Sequence, residues 1–139
     1  MEFVQIKYPD TQKLQQFIDE AGISLKSFRY FQKRPLEVIK NHACTFLLLD
    51  GEEPVAYGHL DKEDNTIWLG VAVIEAYLGL GLGALVMKKL IDFAKENYIP
   101  VIKLSVDNDN SSAISLYKKL GFVLQEKKEG FSFYSLSVL

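Results

Sequence analysis

The stretch Leu78-Gly79-Leu80-Gly81-Leu82-Gly83-Ala84 lies between a β-like run and a long amphipathic segment, and its reading decides the fold. Alternate glycines leave no Cβ to hold a ligand away from the backbone, and they adopt conformations that other residues avoid. Leu82, Leu85, Val86, Leu90 and Phe93 then mark one face of a helix running to about Asn97. A helix start offers unpaired N–H groups and the positive end of a dipole, so the junction suits an anion. The pattern points to a phosphate, and more specifically to a pyrophosphate.

Upstream of the glycines, Ala43 to Leu49, Val55 to Asp61 and Thr66 to Ile74 read as three strands. The polar turns Asp50-Gly51-Glu52-Glu53 and Lys62-Glu63-Asp64-Asn65 join them into an antiparallel meander. Further back, Phe3 to Tyr8 alternates as a strand. A helix begins after Pro9-Asp10-Thr11, buries Leu14, Phe17 and Ile18, and stops at Gly22. A second helical stretch is expected from Leu25 to about Asn41, broken near Pro35 because the residue before proline resists the α region.

Downstream, Pro100 closes the long helix and Val101 to Val106 is an apolar strand. Reaching a strand through a helix suits a parallel crossover. Ser111 to Leu120 is a short helix closed by Gly121, and Phe122 to Lys128 with Phe131 to Leu139 forms a hairpin around Gly130. The order β-α-α-β-β-β-α-β-α-β-β describes one domain over residues 1–139, α/β of the α+β type. Its sheet is mixed, mostly antiparallel, and flanked by helices.

The composition narrows the function. A chain of 139 residues, 48% hydrophobic and 24% charged, has the makeup of one soluble globular domain with a real core. A net charge of −2 leaves no basic surplus for neutralising nucleic-acid phosphates. The start of the chain is charged and alternating, and no apolar run is long enough to span a bilayer, so the expected compartment is the cytoplasm, with no membrane partner. Cys44, the lone cysteine, sits in the apolar run Cys44-Thr45-Phe46-Leu47-Leu48-Leu49 and reads as a buried, inert thiol. No metal site is read from the chain.

Taken alone, Gly79-x-Gly81-x-x-Ala84 also fits the dinucleotide fingerprint, with Asp107 as an acidic ribose ligand. Against that reading, Glu75-Ala76-Tyr77-Leu78 separate the strand from the first glycine, and too few residues follow for a doubly wound sheet. A phosphate loop of the Gly-Lys-Ser/Thr kind is absent. A glycine-rich helix start that binds nothing is the remaining alternative.

The stretch from Leu69 to Val86 resembles the acetyl-CoA motif Q/R-x-x-G-x-G/A of the GNAT N-acetyltransferase superfamily, with Leu78 at the Q/R position and Gly81 and Gly83 at the small ones. Leu104 to Phe122 is similar to the superfamily's second signature, N-x-x-A-x-x-L-Y-x-x-x-G-F, with Asn110, Ala113, Leu116, Tyr117, Gly121 and Phe122 in register. Leu78 departs from the pattern, since leucine offers only packing where glutamine or arginine would support the loop. The cradle then rests on backbone N–H groups.

The resemblance implies acetyl-CoA as co-substrate and direct transfer of acetyl to an amine in a ternary complex. It places the cofactor on Val71, Ala72, Val73, Leu78, Gly79, Leu80, Gly81, Leu82, Gly83, Ala84, Asn110, Ala113 and Tyr117. An amide near Val71 to Val73 would polarise the thioester carbonyl. Tyr117 is the implied general acid for the departing thiolate, although it could instead only pack with Ala113 and Leu116. Asn110 contacts the cofactor, caps the short helix, or does both.

An alkylamine acceptor needs a proton acceptor, and the candidates are His59, Asp61, Asp64 and Glu75, with His59 taken as the base or acceptor ligand. The acceptor side is expected from the first two helices, where Ser27 to Arg34 is rich in aromatic and cationic groups. Arg29 or Arg34 would grip an anion and Tyr30 or Phe31 would stack on a ring, with Trp68 pointing into the cleft or packing in the core. The expected acceptor is a small primary amine, an amino-sugar nucleotide or an amino acid. A peptide acceptor and a non-catalytic CoA-binding sensor are the other readings, and the superfamily's habit of dimerising allows a homodimer.

Overall fold

The computed structural model describes all residues, Met1–Leu139. Seven strands form one sheet: β1 (Glu2–Gln5), β2 (His42–Asp50), β3 (Glu53–Glu63), β4 (Thr66–Val73), β5 (Val101–Asp107), β6 (Val123–Lys127) and β7 (Phe131–Ser137). Their spatial order is β1-β2-β3-β4-β5-β7-β6. Every neighbouring pair is antiparallel except β4 with β5, which follows the crossover through helix α2 (Leu82–Glu96). Helix α1 (Gln12–Glu20) precedes the meander and α3 (Ser111–Lys119) links β5 to the final hairpin. The expected mixed sheet and element order are present, apart from the second helix. No helix is long and apolar enough to cross a membrane.

Alternation along β3 assigns the two faces of the sheet. Ala56, Gly58 and Leu60 face α2, where Val86 and Leu90 approach Gly58 so closely that a Cβ on it would stand 2.5 Å from Val86 Cγ1. Tyr57, His59, Asp61 and Glu63 face the other way, toward α1 and the segment after it. There Phe17 stacks on Tyr57 at 5.8 Å between ring centroids, and Leu14 and Phe17 are fully buried. The Cys44 thiol is buried, as expected, and burial pushes its pKa up to about 12.

The second helix is not an α-helix. Residues 22–41 instead make three short 3-10 turns, Gly22–Lys26, Tyr30–Gln32 and Leu36–Asn41. The cause is aromatic packing. Phe28 and Phe31 lie 5.3 and 5.7 Å from the Tyr57 ring, while Tyr30 lies 4.3 Å from the His59 ring. An α-helix turns residues two apart toward different faces, so it could not lay Phe28, Tyr30 and Phe31 on one strand together. Burial of these rings against β3 outweighs local helix propensity.

A direct consequence concerns the glycine under α2. Gly58→Ala is expected to lower stability by about 1–3 kcal/mol through overpacking, read as a lower urea midpoint with unchanged secondary structure. A midpoint equal to that of the native chain would show that α2 does not depend on this close approach.

Candidate active site

The sheet opens where β4 and β5 part. They share a single register pair, Trp68 with Lys103, although both strands continue beyond it. Two cavities occupy the parting. One, of about 380 Å³, reaches Leu69, Gly70 and Val71 on one side and Ser105, Val106 and Asp107 on the other. The second is a groove of about 700 Å³ running past Val71, Ala72, Val73, Leu78 and Gly83 to Asn110, Ala113 and Leu116. Tyr117, Val71, Phe28 and Asn110 line both, so the cavities meet there.

The glycine loop has the properties an anion requires. Gly81 takes a left-handed conformation, φ 80°, at the N-cap of α2, and Gly79 has φ 79°. A Cβ at either position would meet open space, so the loop faces solvent rather than packed protein. The first helical hydrogen bond runs from Leu85 N–H to Gly81 O at 3.2 Å, and no amide from Gly79 to Ala84 donates to a backbone acceptor. These free donors sit at the positive end of a helix dipole. Leu78 is 52% exposed and borders the groove through packing alone.

Asn110 caps α3, its side chain accepting from Ala113 N–H at 3.3 Å, and it also borders both cavities. Of the two roles expected for it, the cap is present. Burial raises the Tyr117 pKa above the ordinary phenol value, and its hydroxyl has no hydrogen-bond partner in the protein. The ring lies 5.9 Å from Phe122. A neutral phenol at the junction of two cavities has a proton to give and nothing else to bond.

His59 and Tyr30 belong to a polar chain that the sequence did not reveal. Thr45 Oγ1 lies 2.7 Å from His42 Nδ1, and His42 Nε2 lies 2.8 Å from the Tyr30 hydroxyl, which donates to Asp61 Oδ2 at 2.8 Å. The Tyr57 hydroxyl holds His59 Nδ1 at 2.6 Å, leaving Nε2 without a protein partner at the cavity wall. The His59 ring needs a glycine opposite it: a Cβ on Gly70 would stand 2.6 Å from the imidazole. Burial, with His42 and Arg34 nearby, holds His59 neutral, well below the usual imidazole pKa.

The other candidate residues take a range of places. Arg29, expected to grip an anionic acceptor, pairs through both guanidinium nitrogens with Asp107, at 2.9 and 3.1 Å. The Tyr30 ring is enclosed by His59, by Phe31, and by the Arg34 guanidinium 4.4 Å above it, so it holds the site together. Trp68 lines the smaller cavity, 5.5 Å from Phe133. Glu75 Oε1 accepts from Ile23 N–H at 2.7 Å, which ties the first 3-10 turn to the end of β4. Asp64 lies in the β3–β4 turn and borders neither cavity.

The family model described as the acetyltransferase (GNAT) family matches residues 8–122. The chain belongs to that family. It is 30% identical over 115 residues, 82% of the chain, to the uncharacterized N-acetyltransferase YobR of Bacillus subtilis, and spans about half the length (46%) of that protein. The crystal structure of the ribosomal-protein-S18-alanine N-acetyltransferase from Escherichia coli superposes with TM-score 0.75 at 19% identity, covering 99% of this chain and 93% of that one. The Salmonella typhimurium protein yncA, solved with its cofactor acetyl-CoA, superposes with TM-score 0.61 at 22% identity over 69% of this chain and 65% of its own. These likenesses confirm the GNAT fold.

The two histidines make stability depend on pH. Burial lowers His42 from 6.5 to about 4 in the folded chain, with Asp61 opposing the shift, and His59 moves the same way. Below the ordinary imidazole pKa the unfolded chain therefore binds more protons, so stability rises with pH through that window and is lost as pH falls. His42 alone accounts for about 1–2 kcal/mol between neutral pH and pH 5. Urea midpoints for His42→Gln are expected to fall less over that range than those of the native chain. Equal falls would remove His42 from this account.

Proposed function

We propose that this chain is a cytoplasmic N-acetyltransferase that moves acetyl from acetyl-CoA to a primary amine of a small molecule by direct attack in a ternary complex. The observation that carries the reading is Tyr117, a proton donor with no partner where a groove edged by free amides meets a second, smaller cavity. When bound, acetyl-CoA supplies the activated thioester. The amides from Gly79 to Ala84 would hold its pyrophosphate, with Leu78 as an apolar wall and Asn110 and Ala113 across the groove. An anion finds donors there that are already oriented.

The chain's own residues divide the remaining work. Backbone at Val71 to Val73, released from pairing with β5, orients the carbonyl and polarises it. The amine's nitrogen bonds to the carbonyl carbon as the carbon–sulfur bond breaks, and the leaving sulfur takes the Tyr117 proton. The proton lost by the amine passes to water or to His59 Nε2. Because His59 is disfavoured as a cation, its main part is to accept a hydrogen bond from the neutral amine.

The cavity beside Tyr117, at about 380 Å³, is of a size that encloses small molecules. A protein N-terminus is the second reading, favoured by the nearly complete superposition on the ribosomal-protein-S18-alanine N-acetyltransferase.

Calorimetric titration with acetyl-CoA, CoA and NAD, followed by a thiol-release assay with small amines and an alanine-started peptide, separates these readings. Saturable acetyl-CoA binding with turnover of small amines is expected. NAD binding would restore the dinucleotide alternative, binding without turnover would indicate a sensor, and preference for the peptide would favour the second reading. Tyr117→Phe is expected to reduce kcat by about 10–100-fold with acetyl-CoA affinity nearly unchanged, and full turnover would leave Tyr117 a packing residue. Gly81→Val, which forces a branched side chain into φ 80°, is expected to weaken acetyl-CoA by about tenfold or more. Undiminished affinity there would move the cofactor elsewhere.

A further inference from the structure

We infer that the acceptor is a dication: a small diamine whose second ammonium is held by Asp61 and Glu63 while its other amine reaches the Tyr117 junction. The inference rests on the proposed acetyl transfer and names the acceptor class for that site.

Five charged side chains line the smaller cavity: Arg29, Arg34, Asp61, Glu63 and Asp107. Arg29 and Asp107 neutralise each other in a two-point pair. Arg34 lies over the Tyr30 ring and donates to the Tyr30 carbonyl at 3.0 Å. Neither Asp61 nor Glu63 pairs with a cation of the protein. Arg34 keeps its positive charge, so with Arg29 and Asp107 paired, Arg34, Asp61 and Glu63 together leave one net negative charge, opposite in sign to the anion-gripping site that the arginines of the sequence suggest.

Asp61 gives the acidic pair its weight. Only 4% exposed, it receives one hydrogen bond, from the Tyr30 hydroxyl to Oδ2, and Oδ1 has no partner. Oδ1 is not sealed away from solvent but opens to the cavity, where a carboxylate otherwise covered by protein is a ready partner for a cation. The cavity it lines is where such a cation can enter, and the aromatic walls of Tyr30, Phe28 and Trp68 favour an ammonium with its alkyl stem. Glu63, two residues on along the same face of β3, adds a second carboxylate at the exposed rim.

The strand also sets a spacing. Val71, at the junction, pairs with Gly58, whereas Asp61 pairs with Trp68. Three residues of strand separate those levels, roughly 10 Å. Asp61 is thus too far along β3 to take a proton from an amine attacking beside Val71. It is well placed for a second charge at the far end of an extended alkyl chain.

The test compares kcat/KM for hexamethylenediamine, hexylamine and ε-aminocaproate, which share a stem and end in an ammonium, a methyl and a carboxylate. The diamine is expected to exceed hexylamine by about tenfold or more, beyond its statistical factor of two, with ε-aminocaproate poorest. Asp61→Asn should reduce that preference to within about threefold while acetyl-CoA affinity is kept, and Glu63→Gln, at the exposed rim, should reduce it in part. Equal rates for the three amines, a preference for ε-aminocaproate, or an unchanged preference in both variants would overturn the inference. So would a lysine-containing peptide that outcompetes the diamine, by assigning the second charge to a polypeptide. If no amine is acetylated, the transferase reading fails instead, and calorimetry of the diamine against hexylamine on the CoA-loaded protein decides this one. Tighter diamine binding that Asp61→Asn abolishes would support it, and equal affinities would overturn it.

Discussion

The separation of β4 from β5 is the constraint on which the rest of the molecule depends. A parallel pair within an otherwise antiparallel sheet requires a crossover, and α2 supplies it. Because the pair holds at only one register position, the sheet stays continuous at Trp68 and opens beyond it. Backbone that a closed ladder would consume is left facing the gap. The start of α2 stands beside that gap, so one topological feature places strand amides, helix amides and two cavities together.

The walls of the gap are tied together by polar contacts on both sides. The Arg29–Asp107 pair ties the start of the second 3-10 turn to the end of β5, and the hydroxyl of Ser24, in the first turn, donates to Val73 O at 2.5 Å, tying that turn to β4. Inside, the chain from Thr45 through His42 and Tyr30 to Asp61 gives each buried polar group a partner, apart from atoms that reach the cavity. No fully buried side-chain nitrogen or oxygen is left unpaired. Such a network fixes ring positions more firmly than apolar packing alone, while burial holds the histidines neutral.

Much of this was legible in the sequence because local rules agreed. The meander, the crossover helix and the hairpin follow from alternation, polar turns and a 3.6-residue period, and the structure keeps them with shifts of a few residues at their ends. The glycine loop was readable because only glycine tolerates φ near 80° there. The segment 22–41 was not, since its conformation is set by stacking on Tyr57 and His59, residues distant in sequence. Arg29 misled for the same reason: nothing near it in the chain announces Asp107. His42 gave no signal at all. The His59, Asp61, Glu63 alternation on β3 was available, and read as one face of a strand it would have marked the acidic wall.

The central claim is that the amides of the glycine loop and of the end of β4 hold the pyrophosphate and the thioester. Backbone amide shifts of isotopically labelled protein, followed by NMR as CoA is added, test it residue by residue. The account requires the largest changes at Gly79 to Ala84 and at Val71 to Val73, with smaller ones at Asn110 and Ala113. Changes concentrated elsewhere, with those amides unmoved at saturation, would contradict it.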